Sequence, residues 1–270
     1  MSNDLLDLAR DVAFAAGELV YRRRAEGVTV ADHKSSPVDV VTLADRESEA
    51  LIRSMLADAR PNDAFFGEET SGEAAARDGG TSGLTWIVDP IDGTVNYLYD
   101  IPHYAISITV VEGDPNPFTW NALAGCVLNP ATGEVFTATA GEGAWLGDTA
   151  IHAAPSVDLA QALVATGFGY DAEVRRAQGA VVAQLLPEVR DIRRMGTASL
   201  DLCFVANGRL NAYFERGLQH WDHAAGALIA REAGARVTGF DGVAASREFT
   251  LAGAPELAAA LEARLIDLGV

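Results

Sequence analysis

The chain has 270 residues, 49% of them hydrophobic and 21% charged, with a formal net charge of -18. That is the composition of one large folded domain or two closely packed ones, not of a disordered chain. The negative charge argues against nonspecific binding to nucleic acid or to an anionic membrane, but not against an anionic substrate held through cations.

Leu5, Leu8, Val12, Ala15, Ala16 and Leu19 recur at helical spacing and predict a first amphipathic helix running to about Arg24. Residues 27–45 mix a strand-like piece with a polar loop around His33 to Pro37. Thr42 and Asp45 then predict a capping box opening a second helix, which ends near Arg60-Pro61. A short apolar piece meets Gly67-Glu68-Glu69, followed by a Gly/Ser/Ala-rich acidic surface loop. Residues 84–89 and 103–113 are unbroken apolar strands, as in a sheet covered on both faces. Residues 122–130, 134–140 and 143–148 predict antiparallel strands with turns at Asn129-Pro130 and Gly141.

From about Ser156 strands and helices alternate. Strands are expected at 162–169, 191–196, 210–215 and 235–240, and helices at 173–189, 197–208, 221–234 and 255–269. This order predicts an α+β layered sandwich, α-β-α-β-α, with mixed and antiparallel sheets. It divides into an N-terminal subdomain over 1–153 and a C-terminal one over 154–270. Cys126 and Cys203 sit in apolar contexts and read as buried thiols. Residues 1–10 carry acids where a signal peptide needs a basic region, and no apolar run reaches membrane length, so a cytoplasmic protein is expected.

The stretch "WIVDPIDGTVNY" (86–97) carries the chemistry. Asp89 closes an apolar strand. Pro90 donates no hydrogen bond and is expected to take the chain out of the sheet, letting Asp92 turn back towards Asp89. Two carboxylates so placed share a proton or a cation. Glu68 and Asp222, each behind an apolar piece, are further candidates and favour the cation. Each acid taken alone has a plainer explanation: an acidic turn at Glu68, a β-turn at Asp92-Gly93, an N-cap at Asp222.

"GEE" (67–69), "WIVDPIDGTVNY" and "WDHAAGALIAREAGARV" (221–237) occur in this order and together resemble the inositol monophosphatase family. "KSSPVDVVTLAD" (34–45) and "GTASLDLCFVANGRLNAYFE" (196–215) look like it too. The resemblance implies the sugar-phosphatase type of fold. It also implies a Mg²⁺-dependent, lithium-sensitive phosphatase of small polyol phosphates. Glu68, Asp89 and the Ile91 carbonyl would hold one Mg²⁺, and Asp89, Asp92 and Asp222 a second, with a weaker third ion near Glu68. Thr94 would be the catalytic threonine and Asp45 its acid partner, together with Glu68 serving a metal-activated water. The Gly93 and Thr94 amides would face the phosphate. Lys34 matches a mobile-loop lysine.

Glu215 would accept polyol hydroxyls, and Gly196, Thr197 and Ala198 would line the same pocket, touched by Asp92 and Asp222 as well. Gln219, beside His220, stands where many animal members carry histidine, so the animal substrate preference does not transfer. Residues 166–171 look bacterial. His103 and His152 read as structural or surface residues. The implied reaction is hydrolysis of myo-inositol 1-phosphate to inositol and phosphate. Histidinol phosphate, fructose 1,6-bisphosphate and 3′-phosphoadenosine 5′-phosphate are the alternatives on one scaffold. A regulatory binding protein is the reading from another class, disfavoured by the intact acid set. A homodimer is expected, with no nucleic-acid or membrane partner.

Overall fold

The computed structural model describes residues 2–33, 39–70 and 80–270. It opens with helix α1 (Ser2–Glu26), the hairpin of β1 (Val30–His33) and β2 (Val40–Thr42), and helix α2 (Leu43–Ala59). Strands β3 (Ala64–Gly67) and β4 (Leu84–Asp92), the short helix α3 (Thr94–Leu98), and strands β5 (Ala105–Glu112), β6 (Asn121–Asn129), β7 (Glu134–Thr139), β8 (Ala144–Leu146) and β9 (Thr149–Ile151) follow. The second half contains β10 (Leu163–Thr166), α4 (Ala172–Leu185), β11 (Asp191–Arg193), α5 (Ala198–Ala206), β12 (Ala212–Glu215) and α6 (His220–Glu232). It ends with β13 (Arg236–Thr238), β14 (Thr250–Gly253) and α7 (Pro255–Asp267).

Strands β3 to β9 form a seven-stranded sheet in chain order, β3 parallel to β4 and the remainder antiparallel. The five-stranded sheet runs β11-β10-β12-β14-β13, parallel across its first three strands and antiparallel after. Successive strand side chains point to opposite faces, and this sorts the core into layers. Trp86, Val88, Ile106, Ile108 and Cys126 pack beneath Val12, Ala16 and Ile52 of α1 and α2. Ile87, Val127 and Phe136 face the other way, onto Leu202 of α5 and Ala225 and Ile229 of α6. That same cluster reaches Ala165, Tyr213 and Ala252 of the second sheet. Val164, Phe214 and Leu251 turn outwards under α4 and α7, against Leu185 and Leu261. The layers are α-β-α-β-α, as the order of elements predicts. Among the described residues no helix is long and apolar enough to cross a membrane.

The short strand β9 was not expected from the sequence, and β4 and β14 depart from the sequence reading as well. β4 does not end at Pro90. Its pairing with β5 steps from Asp89↔Ser107 to Asp92↔Ala105, three residues against two, which is a β-bulge. Pro90 sits inside the bulge, where its missing N–H leaves no ladder bond unmade. Strand β14 carries no signal in the sequence. Four residues are too few to show a period, yet all four are buried between β12 and β13.

The α5–α6 layer tolerates little change. A Cβ on Gly226 would stand 2.8 Å from Leu202 Cβ and 2.9 Å from the Ser199 carbonyl oxygen. On α4, by contrast, a Cβ on Gly179 would meet nothing within 4 Å. Gly226→Ala is therefore expected to destabilise by about 1–3 kcal/mol through overpacking. Gly179→Ala is expected to stabilise by about 0.5–1 kcal/mol, since glycine inside an exposed helix loses more entropy on folding. Urea unfolding of both variants checks this, and shifts of the same sign would contradict the packing described.

Candidate active site

Asp45 enters from the first turn of α2. Its capping box with Thr42 forms as predicted. Asp45 Oδ2 accepts from the Thr42 amide at 2.8 Å and also from the Thr42 hydroxyl. That turns Oδ1 towards Thr94, whose Oγ1 lies 3.1 Å away. The same Oγ1 lies 3.1 Å from the Ile91 carbonyl oxygen, so its single proton serves one acceptor at a time. Burial pushes Asp45 up to about 7; the hydrogen bonds from Thr42 oppose that rise and the Glu68 charge adds to it.

The bulge in β4 sets the other acids. The Ile91 amide donates to Asp89 Oδ1 at 3.0 Å, looping over Pro90, and Ser48 Oγ holds the Pro90 carbonyl at 3.2 Å. Asp92 Oδ2 accepts from the Ser199 amide at 2.7 Å, at the start of α5. Asp222 is not the N-cap of α6. Gln219 is, and Asp222 sits three residues on, its Oδ2 accepting the Gln219 amide at 2.7 Å. Glu68 follows β3, its amide bonded to the Val88 carbonyl at 3.1 Å. Behind it, Glu49 Oε2 accepts the Glu69 amide at 2.7 Å, and a Cβ on Gly67 would overlap the Glu49 carboxylate.

These acids feel one another. Asp89 is raised well above the carboxylate range, by burial first and then by Glu68, Asp92 and Asp222, and it shares a hydrogen bond with Glu68. Asp222 is raised well above it by burial, Asp92 and Glu68. Burial takes Asp92 to about 7, against the pull of its bond to Ser199. Among the described residues no lysine or arginine pairs with Asp89, Asp92 or Asp222. Yet among the described residues no three acidic, histidine or cysteine side chains stand close enough to form a closed metal cage by themselves. An all-oxygen set mixing carboxylates with the Ile91 carbonyl, strongly negative and open to solvent on one side, suits a hard cation that keeps part of its water shell.

A cavity of about 650 Å³ opens above these groups. Glu68, Asp89, Asp92, Asp222, Thr94, the 196–198 segment and Glu215 all line it. Gly93 has φ 91°, and a Cβ there would overlap Thr197 Oγ1, so only glycine fits. Glu215 Oε2 accepts from the Tyr213 hydroxyl at 2.6 Å. Burial brings Glu215 to about 7, opposed by Tyr213 and Arg194. Lys34 lies outside the described residues. His103 is mostly buried, with Nε2 3.9 Å from Asp201, and His152 is exposed.

Sequence reasoning assigned no role to several residues that shape this site. Asn96 donates to the His103 and Met195 carbonyls at 2.7 and 2.8 Å, tying the Gly93 turn to the 196–198 segment. Glu49 had a signal: it lies four residues after Asp45, on the same face of α2, and both are buried. Ser199, Tyr170 and Arg194 are brought in by tertiary contacts and had none, whereas Tyr213 shares a strand face with Glu215 two residues on.

The profile of the inositol monophosphatase family matches residues 1–267. A Mycobacterium tuberculosis protein named inositol-1-monophosphatase SuhB is 44% identical over 246 residues, covering 86% of this chain and 83% of its own length. A Vibrio cholerae relative named Nus factor SuhB is 36% identical over 239 residues, covering 88% and 86%. The crystal structure of extragenic suppressor protein suhB from Bartonella henselae superposes with a TM-score of 0.86 at 33% identity, covering 99% of this chain and 100% of that one. The chain thus belongs to the inositol monophosphatase family, which is generally metal-dependent, and is a phosphomonoesterase.

Proposed function

We propose that this chain hydrolyses phosphate monoesters of small polyols, myo-inositol 1-phosphate first among them, with Mg²⁺ as its cofactor. The observation that carries this reading is the chain Asp45–Thr94–Ile91 carbonyl, which reaches the cavity beside the aspartate wall. Glu68, Asp89, the Ile91 carbonyl, Asp92 and Asp222 are the groups that would hold the ions. When bound, Mg²⁺ supplies Lewis-acid polarisation of the phosphoryl group and stabilises charge on the leaving oxygen.

The protein's own groups do the remainder. An ionised Asp45 accepts the Thr94 proton through Oδ1, leaving the Thr94 lone pairs to receive a proton from the attacking water. Thr42 holds Asp45 through Oδ2 and keeps that orientation. The Gly93 turn, fixed against Thr197 by its close approach, shapes the seat of the phosphate. Glu215, which lines the same cavity, accepts hydroxyl hydrogens of the polyol.

The direct test is a phosphate-release assay on myo-inositol 1-phosphate with Mg²⁺, with EDTA and with Li⁺. Turnover is expected to require Mg²⁺ and to be inhibited by Li⁺. Thr94→Val is expected to lower kcat about 10²–10⁴-fold, the scale of a positioned proton acceptor. A Thr94→Val enzyme as fast as wild type would sink the assigned role.

A second expectation concerns pH. Asp45 and Asp92 rise from 3.8 to about 7 on folding. A carboxyl raised by folding stabilises the fold below its unfolded value and loses that contribution as pH climbs through the folded one. Metal-free protein should therefore lose thermal stability between about pH 4 and pH 8, within the limits of its other groups. Saturating Mg²⁺ should remove that slope, and isosteric Asp92→Asn should flatten it without metal. Melting curves that are equally steep with and without Mg²⁺ would contradict the metal assignment.

A further inference from the structure

We propose that Tyr213 is a positioning residue for substrate recognition: its buried hydroxyl holds the Glu215 carboxylate in the orientation that faces the cavity. This rests on the polyol reading of the site. Tyr213 and Glu215 are two residues apart on β12 and share a face. Phe214 between them points the other way, into the core under α4 and α7. Tyr213 is 0% exposed, yet its hydroxyl reaches Glu215 Oε2 at 2.6 Å. Among the described residues this is the only hydrogen bond to the Glu215 side chain.

A second constraint comes from the neighbouring strand. β10 pairs in parallel with β12, Thr166 against Phe214, which brings Gly167 alongside Glu215. A Cβ on Gly167 would overlap both carboxylate oxygens. Glu215 is thus pressed against bare backbone on one side and tied from behind by Tyr213. Arg194 lines the same cavity and draws on Glu215 through charge alone, without a hydrogen bond. Oε1 remains to meet substrate. A glutamate has three side-chain torsions to lose on being fixed. Without the Tyr213 bond that loss would fall on the binding step, and the carboxylate would leave the geometry that a polyol hydroxyl needs.

Tyr213→Phe keeps the ring and deletes one oxygen. It is expected to raise KM for myo-inositol 1-phosphate about tenfold, as loss of a charge-assisted hydrogen bond implies, with kcat within about twofold. KM for phenyl phosphate, which offers no alcohol hydroxyls, should not move. Glu215→Gln should raise KM for myo-inositol 1-phosphate at least as much, and the double variant should be no worse than Glu215→Gln alone, because Tyr213 acts through Glu215. Equal KM rises on both esters, or multiplied losses in the double variant, would overturn the proposal. A crystal structure of Tyr213→Phe separates this from the substrate question. The Glu215 carboxylate is expected to rotate away from the cavity, and an unmoved carboxylate overturns the positioning role. Wild-type enzyme inactive on every polyol phosphate would instead overturn the substrate reading.

Discussion

Glu68, Asp89, Asp92 and Asp222 repel one another along one wall of the cavity, and the burial of the three aspartates sharpens that repulsion. Among the described residues the three aspartates are held by backbone, not by counter-charges. Asp89 is held by the Ile91 amide, Asp92 by the Ser199 amide and Asp222 by the Gln219 amide. Each amide satisfies one oxygen and aims the carboxylate. An arginine in the same place would satisfy the acids more fully and would leave nothing for a cation to do. Anchoring acids on amides keeps the wall both ordered and electrostatically unfinished.

Those amides come from three places that the layered core brings together. The bulge in β4 supplies Ile91, the first turn of α5 supplies Ser199, and the start of α6 supplies Gln219. Helices α5 and α6 lie between the two sheets and share one apolar cluster with both. Their separation is therefore set by the core, with Gly226 of α6 closely packed against Leu202 and the Ser199 carbonyl. The aspartates of the first sheet and Glu215 of the second are registered to each other through this layer. A shift of α5 would move the anchor of Asp92 and the 196–198 segment together.

Much of this was legible in the sequence. Unbroken apolar runs marked β4 and β5, the turns at Asn129-Pro130 and Gly141 marked β6 and β7, and the Thr42–Asp45 spacing marked the start of α2. The acids were legible because a carboxylate directly after an apolar strand is an expensive choice. Pro90 misled because proline ordinarily ends a ladder, and only the pairing register reveals that the strand resumes at Asp92. β14 was silent because four buried residues show no pattern. Asn96 and Ser199 were silent for another reason. Their roles are bonds to groups that the chain places nearby only after folding, 99 and 107 positions away for Met195–Asn96 and Ser199–Asp92.

Two groups of cavity residues obey different physics. The acid set of Glu68, Asp89, Asp92 and Asp222 is governed by charge: its acids are stable together either partly protonated or bridged by cations, and a net charge of -18 deepens the potential that draws cations in. Glu215 on the second sheet is governed by orientation, through one hydroxyl on β12 and one glycine after β10. On the proposed reading, substitutions at Tyr213 or Glu215 alter which alcohol is accepted. Substitutions in the acid set disturb ion binding, protonation and stability at once, because Asp89 cannot change without changing the field at Asp92 and Asp222.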